Sequence, residues 1–541
     1  MIEPPDAPGG HVVVTFSGGH GPPDRALRVL ADLGFELGPS QPSTRMRIDT
    51  HDGRLRRAGA RLDARPVYVP GNHDGVELLP SGALPARPIV VGRLPRRPTD
   101  LPSGQLRFQV ASIVRERALL VQQTVSTSCA HAICRDAAGA TTVRVEVHTD
   151  VQVVDGNGVS RAVDPTIWCL EVHPLGTSSK QVAKVRKRLA ALGLDERAGD
   201  VVEWAADVAG LEPPAPPAAR AHLRRKASAA DAFRTVLHQL VDVIGATWQG
   251  VADDVDPEFL HEFRVALRRA RSVLRDAEDV LPDGARDDAL DLAGALADRT
   301  GAPRDLDVHL LEWDDRIAPL SPARRVALEP VRELLEQQRA AAHRELSAAL
   351  ALEGREAWLA RCRELLDTRR APDGTRPELA RRRIGKVIAR RVRRAHDRLV
   401  RDGRSVQDDT PLDHLHELRK DAKRLRYLVD AFGSLVPVAD RRRYVRRLEA
   451  LQDHLGALQD AQVHHRELLA VRGLLVAHPR DTPDTPHSPD TPDTLEALDT
   501  LVAELDARTD QLRAGFGEVF ARFDHPRTRR TLDALLDDLR G

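Results

Sequence analysis

Aromatic side chains make up only 3% of this 541-residue chain, and cysteine occurs four times. Scarce Phe, Trp and Tyr argue against base-stacking platforms for single-stranded nucleic acid and suit helices packed through aliphatic ridges. Cys129, Cys134, Cys169 and Cys362 form no Cys-x-x-Cys pair, which argues against a disulfide scaffold and a structural zinc site and fits a reducing, cytoplasmic setting. There is no run of about 18 apolar residues, and the first ten residues have neither the basic start nor the apolar stretch of a signal peptide, so no membrane partner is expected. A net charge is lacking too. Lys plus Arg and Asp plus Glu both number 81, so only local clustering can point to a polyanion.

The length allows two to four domains, and composition favours two. Leu211-Glu-Pro-Pro-Ala-Pro-Pro217 cannot continue a helix, because each proline lacks a backbone donor and restricts its predecessor. The expected organisation is therefore an α+β domain over residues 1–210, a Pro-rich linker over 211–222 and an all-α domain over 223–541. In the first part, Val-rich runs at His11–Phe16, Thr142–Val147 and Thr166–Val172 alternate with turn signals, and Pro23–Leu33 and Ser178–Leu192 carry helical periodicity. In the second, apolar residues recur at three and four spacing. The Thr-Pro-Asp stretch at about 478–494 is too polar to bury anything and reads as a disordered loop.

An internal repeat is the most informative feature. His261-Glu-Phe-Arg264-Val-Ala-Leu-Arg268-Arg269-Ala-Arg271 aligns with His416-Glu-Leu-Arg419-Lys-Asp-Ala-Lys423-Arg424-Leu-Arg426, 155 residues later. The same offset, without a gap, pairs Asp298, Gly301, Asp305 and Val308 with Asp453, Gly456, Asp460 and Val463. Two copies of one helical unit about a pseudo-twofold axis are expected.

On a helix of ~100° per residue, Phe263, Ala266, Leu267, Ala270 and Leu274 form one stripe, as do Leu418, Ala422, Leu425 and Val429. Arg264, Arg268, Arg271 and Arg275 lie beside the first stripe with His261; Arg419, Lys423, Arg426 and His416 repeat the arrangement. Like charges one turn apart are destabilising by a few tenths of a kcal/mol per pair, roughly, unless an anion relieves them. A third basic helix, Arg381 to Arg394, contains no acidic residue. Anion binding is the expectation.

These residues resemble the CHAD family, the conserved-histidine α-helical domain. The match runs from about Leu223 to Leu539 and is carried by the two His-x-x-Arg strings, the segment His416 to Tyr427 and the Leu-Gly-x-x-x-Asp segment near Asp460. The resemblance implies two pseudo-symmetric four-helix bundles and binding of inorganic polyphosphate on a basic surface, often at polyphosphate granules. It places that role on Arg264, Arg268, Arg271, Arg419, Lys420, Lys423 and Arg426, with Lys386, Arg390, Arg393 and Arg394 as neighbours. His261 and His416 match the name-giving histidines. One imidazole per repeat, with no Cys or carboxylate constellation, points to a structural or anion-contacting role rather than a metal. No small-molecule cofactor is expected. Nucleic acid is the less favoured polyanion, and a partner-protein adaptor is the alternative if acidic loops cover the basic ridges.

The first domain resembles a degenerate CYTH, or triphosphate-tunnel, domain, a fold of antiparallel strands closing on a tunnel. Arg47-Ile-Asp49-Thr50 through Leu55, Ala58-Gly59 and Leu62 is similar to that family's Phe-Asp-Thr…Leu-x-x-Ala-Gly-x-x-Leu segment, and Leu170-Glu171-Val to its closing strand. Family members begin with Glu-x-Glu-x-Lys, whose carboxylates help bind a divalent metal. Here the strand reads His11-Val-Val13-Val-Thr15, and Cys129 stands near where an arginine would be expected. Glu146 and Glu171 remain as possible acids. The expectation is a domain with no catalytic residues and no metal, serving as scaffold or interaction surface; residual metal-dependent triphosphatase activity is the alternative.

Overall fold

The computed structural model describes residues 14–541 apart from 19–20, 70–71, 176–178, 212–220, 372, 408 and 478–491. Most of the Pro-rich and Thr-Pro-Asp segments therefore lie outside the described residues, as does the start of the His11–Phe16 strand. The chain divides into two units, Met1–Pro217 and Ala218–Gly541.

The first unit is built on one antiparallel sheet. Its strands are β1 (Val14–Ser17), β2 (Glu36–Asp49), β3 (Ala60–Val69), β4 (Asn72–Gly82), β5 (Ile89–Val91), β6 (Leu120–Arg135), β7 (Thr141–Asp155), β8 (Ser160–Arg161), β9 (Cys169–Pro174) and β10 (Asp195–Ala198). They run β10-β1-β9-β7-β6-β2-β3-β4-β5, with β8 on β7. Helices α1 (Asp24–Asp32) and α4 (Ser179–Ala190) cover one face, α2 (Arg54–Arg57) and α3 (Gln105–Val114) a second core, and α5 (Val201–Val208) the opposite face.

Alternation decides which residues go where. Val143, Val145 and Val147 pack with Phe16, Leu30, Leu170 and Leu189 under α1 and α4, so the intervening Glu146 and His148 point to the inner face. There the sheet curls. In a flat sheet β2 and β9, three places apart, would stand roughly 14 Å from each other, yet Arg45 on β2 reaches Glu171 on β9 at 3.1 Å. The inner face is thus concave and tunnel-like. The Arg47 to Leu62 motif is a device of local structure: buried Asp49 accepts from the backbone N–H groups of Thr50, Leu55 and Arg56 at 2.7–3.0 Å, and Thr50 Oγ1 accepts from Arg54 N at 2.8 Å, together organising the α2 turn.

The second unit is all helix. Its helices are α6 (Ala229–Ala252), α7 (Pro257–Arg275), α8 (Asp283–Arg299), α9 (Gly301–Leu311), α10 (Trp313–Ile317), α11 (Pro322–Ala327), α12 (Glu329–Glu353), α13 (Arg355–Asp367), α14 (Ile384–Arg404), α15 (Leu412–Ala431), α16 (Val438–Ala477), α17 (Pro492–Phe523) and α18 (Pro526–Arg540). The repeat is exact in its starts: α6, α7 and α8 begin 155 residues before α14, α15 and α16. Helices α6, α7, α8 and α13 make one four-helix bundle and α14, α15, α16 and α18 the other. The pseudo-twofold is written into the backbone between them. Ala229 N donates to Arg382 O at 2.8 Å and Ile384 N to Ala227 O at 3.1 Å, two bonds that the 155-residue offset exchanges.

Symmetry fails at Pro303. The second copy has Leu458 there and continues α16 unbroken, whereas the proline cannot donate one turn back and the first copy splits into α8 and α9 at Thr300. A third core, not expected from the sequence, buries Trp313, Leu328, Val331, Leu335, Leu468, Val471, Leu498 and Leu501 between α10–α12 and the α16–α17 pair. Thr494, in the first turn of α17, donates to Ala327 O at 2.9 Å.

Candidate anion-binding site

The repeat's two basic helices meet at the pseudo-axis. Helix α7 starts where Asp256 accepts from Glu258 N and Phe259 N at 2.9 and 3.0 Å, with Pro257 in the first turn. Its apolar stripe, Phe263, Leu267, Ala270 and Leu274, is buried, as are Leu418, Ala422, Leu425 and Val429 on α15. The flanking cations are thereby held half-buried, since their stems lie against the core rim.

Across the two helices, the charge of Arg268 on α7 acts on both Arg419 and Lys423 on α15, and that of Arg264 acts on Lys423. Carboxylates are few. Asp305 lies 3.9 Å from Arg264, and its repeat equivalent Asp460 lies 3.3 Å from Arg419. Arg264 also donates to Thr300 Oγ1 at 3.3 Å. Arg268 and Lys423 have no carboxylate partner among the described residues, and the buried Nε atoms of Arg268 and Arg419 have no acceptor. Burial, then the charges of Arg419 and Arg268, push Lys423 from 10.5 down to about 8. Burial also lowers Arg264 and Arg419, which neighbouring arginines reinforce and Asp305 and Asp460 oppose. A site whose cations are destabilised by one another is a site prepared for an anion.

The remaining predicted residues fall into four groups. Arg271 lies 3.7 Å from Asp298, and Arg426 pairs with Glu449 at 3.1 Å and contacts Gln452, so both are partly neutralised at the margins of the seam. Exposed Lys420 is paired with Glu417 on its own helix. His261 is half-buried on α7, and His416 bonds through Nδ1 to Gln459. Lys386, Arg390, Arg393 and Arg394 line a separate open groove of about 450 Å³ with Arg540 from α18. Gly385 makes that groove possible, because any Cβ there would stand 1.9 Å from the Leu539 carbonyl. Arg393 is paired with Asp533, while Lys386, Arg390 and Arg394 have no carboxylate partner among the described residues.

Sequence reasoning missed Arg540, which no periodicity ties to α14, and Arg304, whose guanidinium is influenced by Arg268. It also stopped one residue short in the repeat: His309 and His464 are equivalent, buried, and have ring centroids 5.1 Å apart. Burial keeps both imidazoles neutral, at about 3. The signal was present as Val308-His309 and Val463-His464.

The inner face of the first unit does not fit the divalent-metal site that its resemblance implies. β1 supplies no acid: Val14 and Phe16 enter the outer core, and Thr15 Oγ1 donates to Gly199 O at 2.7 Å. Arg45 pairs with Glu146 at 2.6 Å and Glu171 at 3.1 Å, while Arg47 pairs with Asp63 and, at 2.6 Å, with Asp200. Arg45 and Arg47 are thus consumed by acids, and Glu146 and Glu171 meet the imidazoles of His148 and His173. An oxygen-rich site of the kind magnesium requires is not formed.

Residues 235–469 match the family model described as "CHAD domain". No curated protein matches the chain. Among solved structures, the chain is similar to the CHAD domain from the plant Ricinus communis (24% identity, 57% of this chain and 96% of that chain, TM-score 0.44). It is also similar to PptA from Streptomyces chartreusis (16%, 54% and 99%, TM-score 0.40). A third similar structure is a putative adenylate cyclase from Bacillus halodurans (13%, 35% and 95%, TM-score 0.23). No helix among the described residues is long and apolar enough to cross a membrane.

Proposed function

The helical unit carries a CHAD domain over residues 235–469, and from that premise we propose that this protein binds inorganic polyphosphate at the seam between α7 and α15. One observation carries the reading: Arg264, Arg268, Arg419 and Lys423 gather half-buried, and among the described residues their only ion pairs are those with Asp305 and Asp460. Polyphosphate presents about one negative charge per phosphate along a flexible chain, so several cations can engage successive units. The arginines supply planar forks that donate two hydrogen bonds to one phosphate, and Lys423 a mobile point charge. Lys386, Arg390 and Arg394 in the α14–α18 groove would hold further phosphates of a long chain. Much of the free energy would come from counterion release, so affinity falls steeply with salt. Such affinity would carry the protein to polyphosphate granules in the cytoplasm.

The first unit, in this reading, is a noncatalytic scaffold, because its arginines and carboxylates neutralise one another; metal-dependent hydrolysis of triphosphate by the purified protein would overturn that. The binding site is tested by titrating the full chain with long-chain polyphosphate at low and physiological salt, beside a variant with Arg264, Arg268, Arg419 and Lys423 changed to Ala. At roughly 1.5–3 kcal/mol per charge-assisted contact, the variant should lose affinity by three orders of magnitude or more. Equal binding by both proteins moves the site elsewhere, salt-independent binding removes the electrostatic basis, and equal competition by DNA or RNA of the same charge makes the site a general polyanion site.

A further inference from the structure

Lysine is rare in this chain. Only seven of its 81 cationic side chains are lysines, and six of the seven, Lys180, Lys184, Lys187, Lys226, Lys386 and Lys420, are exposed. Lys423 alone is half-buried, and it sits in the seam.

The repeat sets this residue apart. The 155-residue offset pairs Arg264 with Arg419, Arg269 with Arg424 and Arg271 with Arg426, each guanidinium with a guanidinium, but it pairs Arg268 with Lys423. Arginine would serve an anion at least as well there, since its fork donates two hydrogen bonds and it never loses its charge. What lysine adds is a proton it can give up and, behind it, a nucleophilic nitrogen.

The surroundings favour that nitrogen. Arg419 stands one helical turn before Lys423 on α15, and the charges of Arg268 and Arg264 act on it from α7. Asp460 on α16 opposes them, but it is paired with Arg419 and not with the ammonium. Burial, then Arg419 and Arg268, bring Lys423 down to about 8 from 10.5, so near pH 8 about half of it is free amine. Exposed Lys420, three residues away, is instead held in an ion pair by Glu417.

Resting on the anion-binding reading of the seam, we propose that Lys423 is a site of acylation by acyl phosphates, and that this modification turns polyphosphate binding down. An acyl phosphate carries its electrophilic carbonyl on a phosphate group. The arginines that would hold one phosphate of polyphosphate hold this one, and the amine among them meets the carbonyl carbon. The nitrogen lone pair attacks that carbon, the bond from the carbon to the bridging oxygen breaks, and phosphate departs with the electron pair. The proton shed by the nitrogen ends on the phosphate, leaving an amide and hydrogen phosphate. Arg264, Arg268 and Arg419 stabilise the charge that gathers on the leaving group. The amide has no charge, so the seam keeps three of its four cations against the same two carboxylates and holds polyphosphate less tightly.

The test is to incubate the full-length protein with acetyl phosphate at pH 8 and follow acetylation of each lysine by peptide mass spectrometry. Lys423 should be modified at least about tenfold faster than any of the six exposed lysines, the reverse of the order that accessibility alone dictates. Long-chain polyphosphate should suppress the reaction at Lys423 and leave Lys180, Lys184 and Lys187 unaffected. With a neutral acetylating ester that lacks phosphate, the preference for Lys423 should shrink at least about fivefold. Once Lys423 is fully modified, wild type should bind polyphosphate about tenfold more weakly, the loss of one charge-assisted contact. Lys423→Arg, with the repeat-equivalent guanidinium, should bind equally before and after incubation. Lys423 reacting no faster than the exposed lysines, in a protein that still binds polyphosphate, overturns the acylation and leaves the seam's assignment intact. A preference for Lys423 that polyphosphate does not suppress moves the anion site elsewhere and overturns both. An equal preference with the phosphate-free ester overturns acyl phosphates as the class of reagent.

Discussion

Two regions of this molecule gather charge in half-buried or buried surroundings, and they resolve it in opposite ways. On the inner face of the first unit's sheet, Arg45 and Arg47 are matched by Glu146, Glu171, Asp63 and Asp200. At the α7–α15 seam, the only ion pairs that Arg264, Arg268, Arg419 and Lys423 make among the described residues are with Asp305 and Asp460, at 3.9 and 3.3 Å. The comparison teaches that a count of cations says little about an anion site. What matters is whether the fold brings acids to the same place, because a matched buried set resists any new ion and an unmatched one is relieved by it.

The largest effect that would sharpen this contrast is on stability. Arg47→Ala should cost about 3–5 kcal/mol in denaturant unfolding, since it leaves Asp63 and Asp200 buried together. Burial already raises Asp63 to about 6, opposed by Arg47. Arg268→Met at the seam should change stability by no more than about 0.5 kcal/mol while weakening polyphosphate binding. Similar losses in the two variants would erase the distinction between a matched and an unmatched cluster.

A second effect separates stability from affinity by pH. Lys423 sits at about 8 in the folded chain against an ordinary 10.5. Between these values the unfolded chain binds more protons, so the stability of the free protein should rise as pH rises from 8 toward 10.5. Polyphosphate needs the ammonium, so affinity should fall over the same window. Lys423→Met should flatten both profiles. Parallel rather than opposed trends in the wild type would mean that Lys423 does not face the anion.

Much of the second unit was legible in the sequence because one register repeats. The 155-residue offset marks the starts of three helix pairs, and the wheel separated core from cations correctly on both α7 and α15. The meeting of those two ridges across the pseudo-axis was not legible, because a wheel describes one helix and the facing of Arg268 to Arg419 and Lys423 is tertiary. Nor was the neutralisation of Arg426: its partner Glu449 stands where the first copy has Gly294. In the first unit, the motif around Asp49 and Thr50 was readable as a pattern, but its residues serve the α2 turn. The imidazoles of His148 and His173 carried no sequence signal, since strand residues two apart on β7 and β9 come together only through register.

The smallest effect concerns the two acids that the seam does contain. Asp305 and Asp460 are repeat equivalents, and each opposes one arginine that would otherwise be free for phosphate. An anion entering the seam must compete with both carboxylates or push against them. Asp460→Asn keeps the shape and removes the charge, so polyphosphate should bind more tightly; a half-exposed ion pair is worth up to about 1 kcal/mol, which corresponds to a gain of up to about fivefold. Asp305→Asn should give less, because its arginine is farther away and is also held by Thr300. The double variant should approach the product of the two gains if the sites act on one bound chain through separate arginines. A loss of affinity in Asp460→Asn would mean that the carboxylate positions Arg419 for the ligand rather than competing with it, and the seam would then resemble the inner face of the sheet more than its opposite.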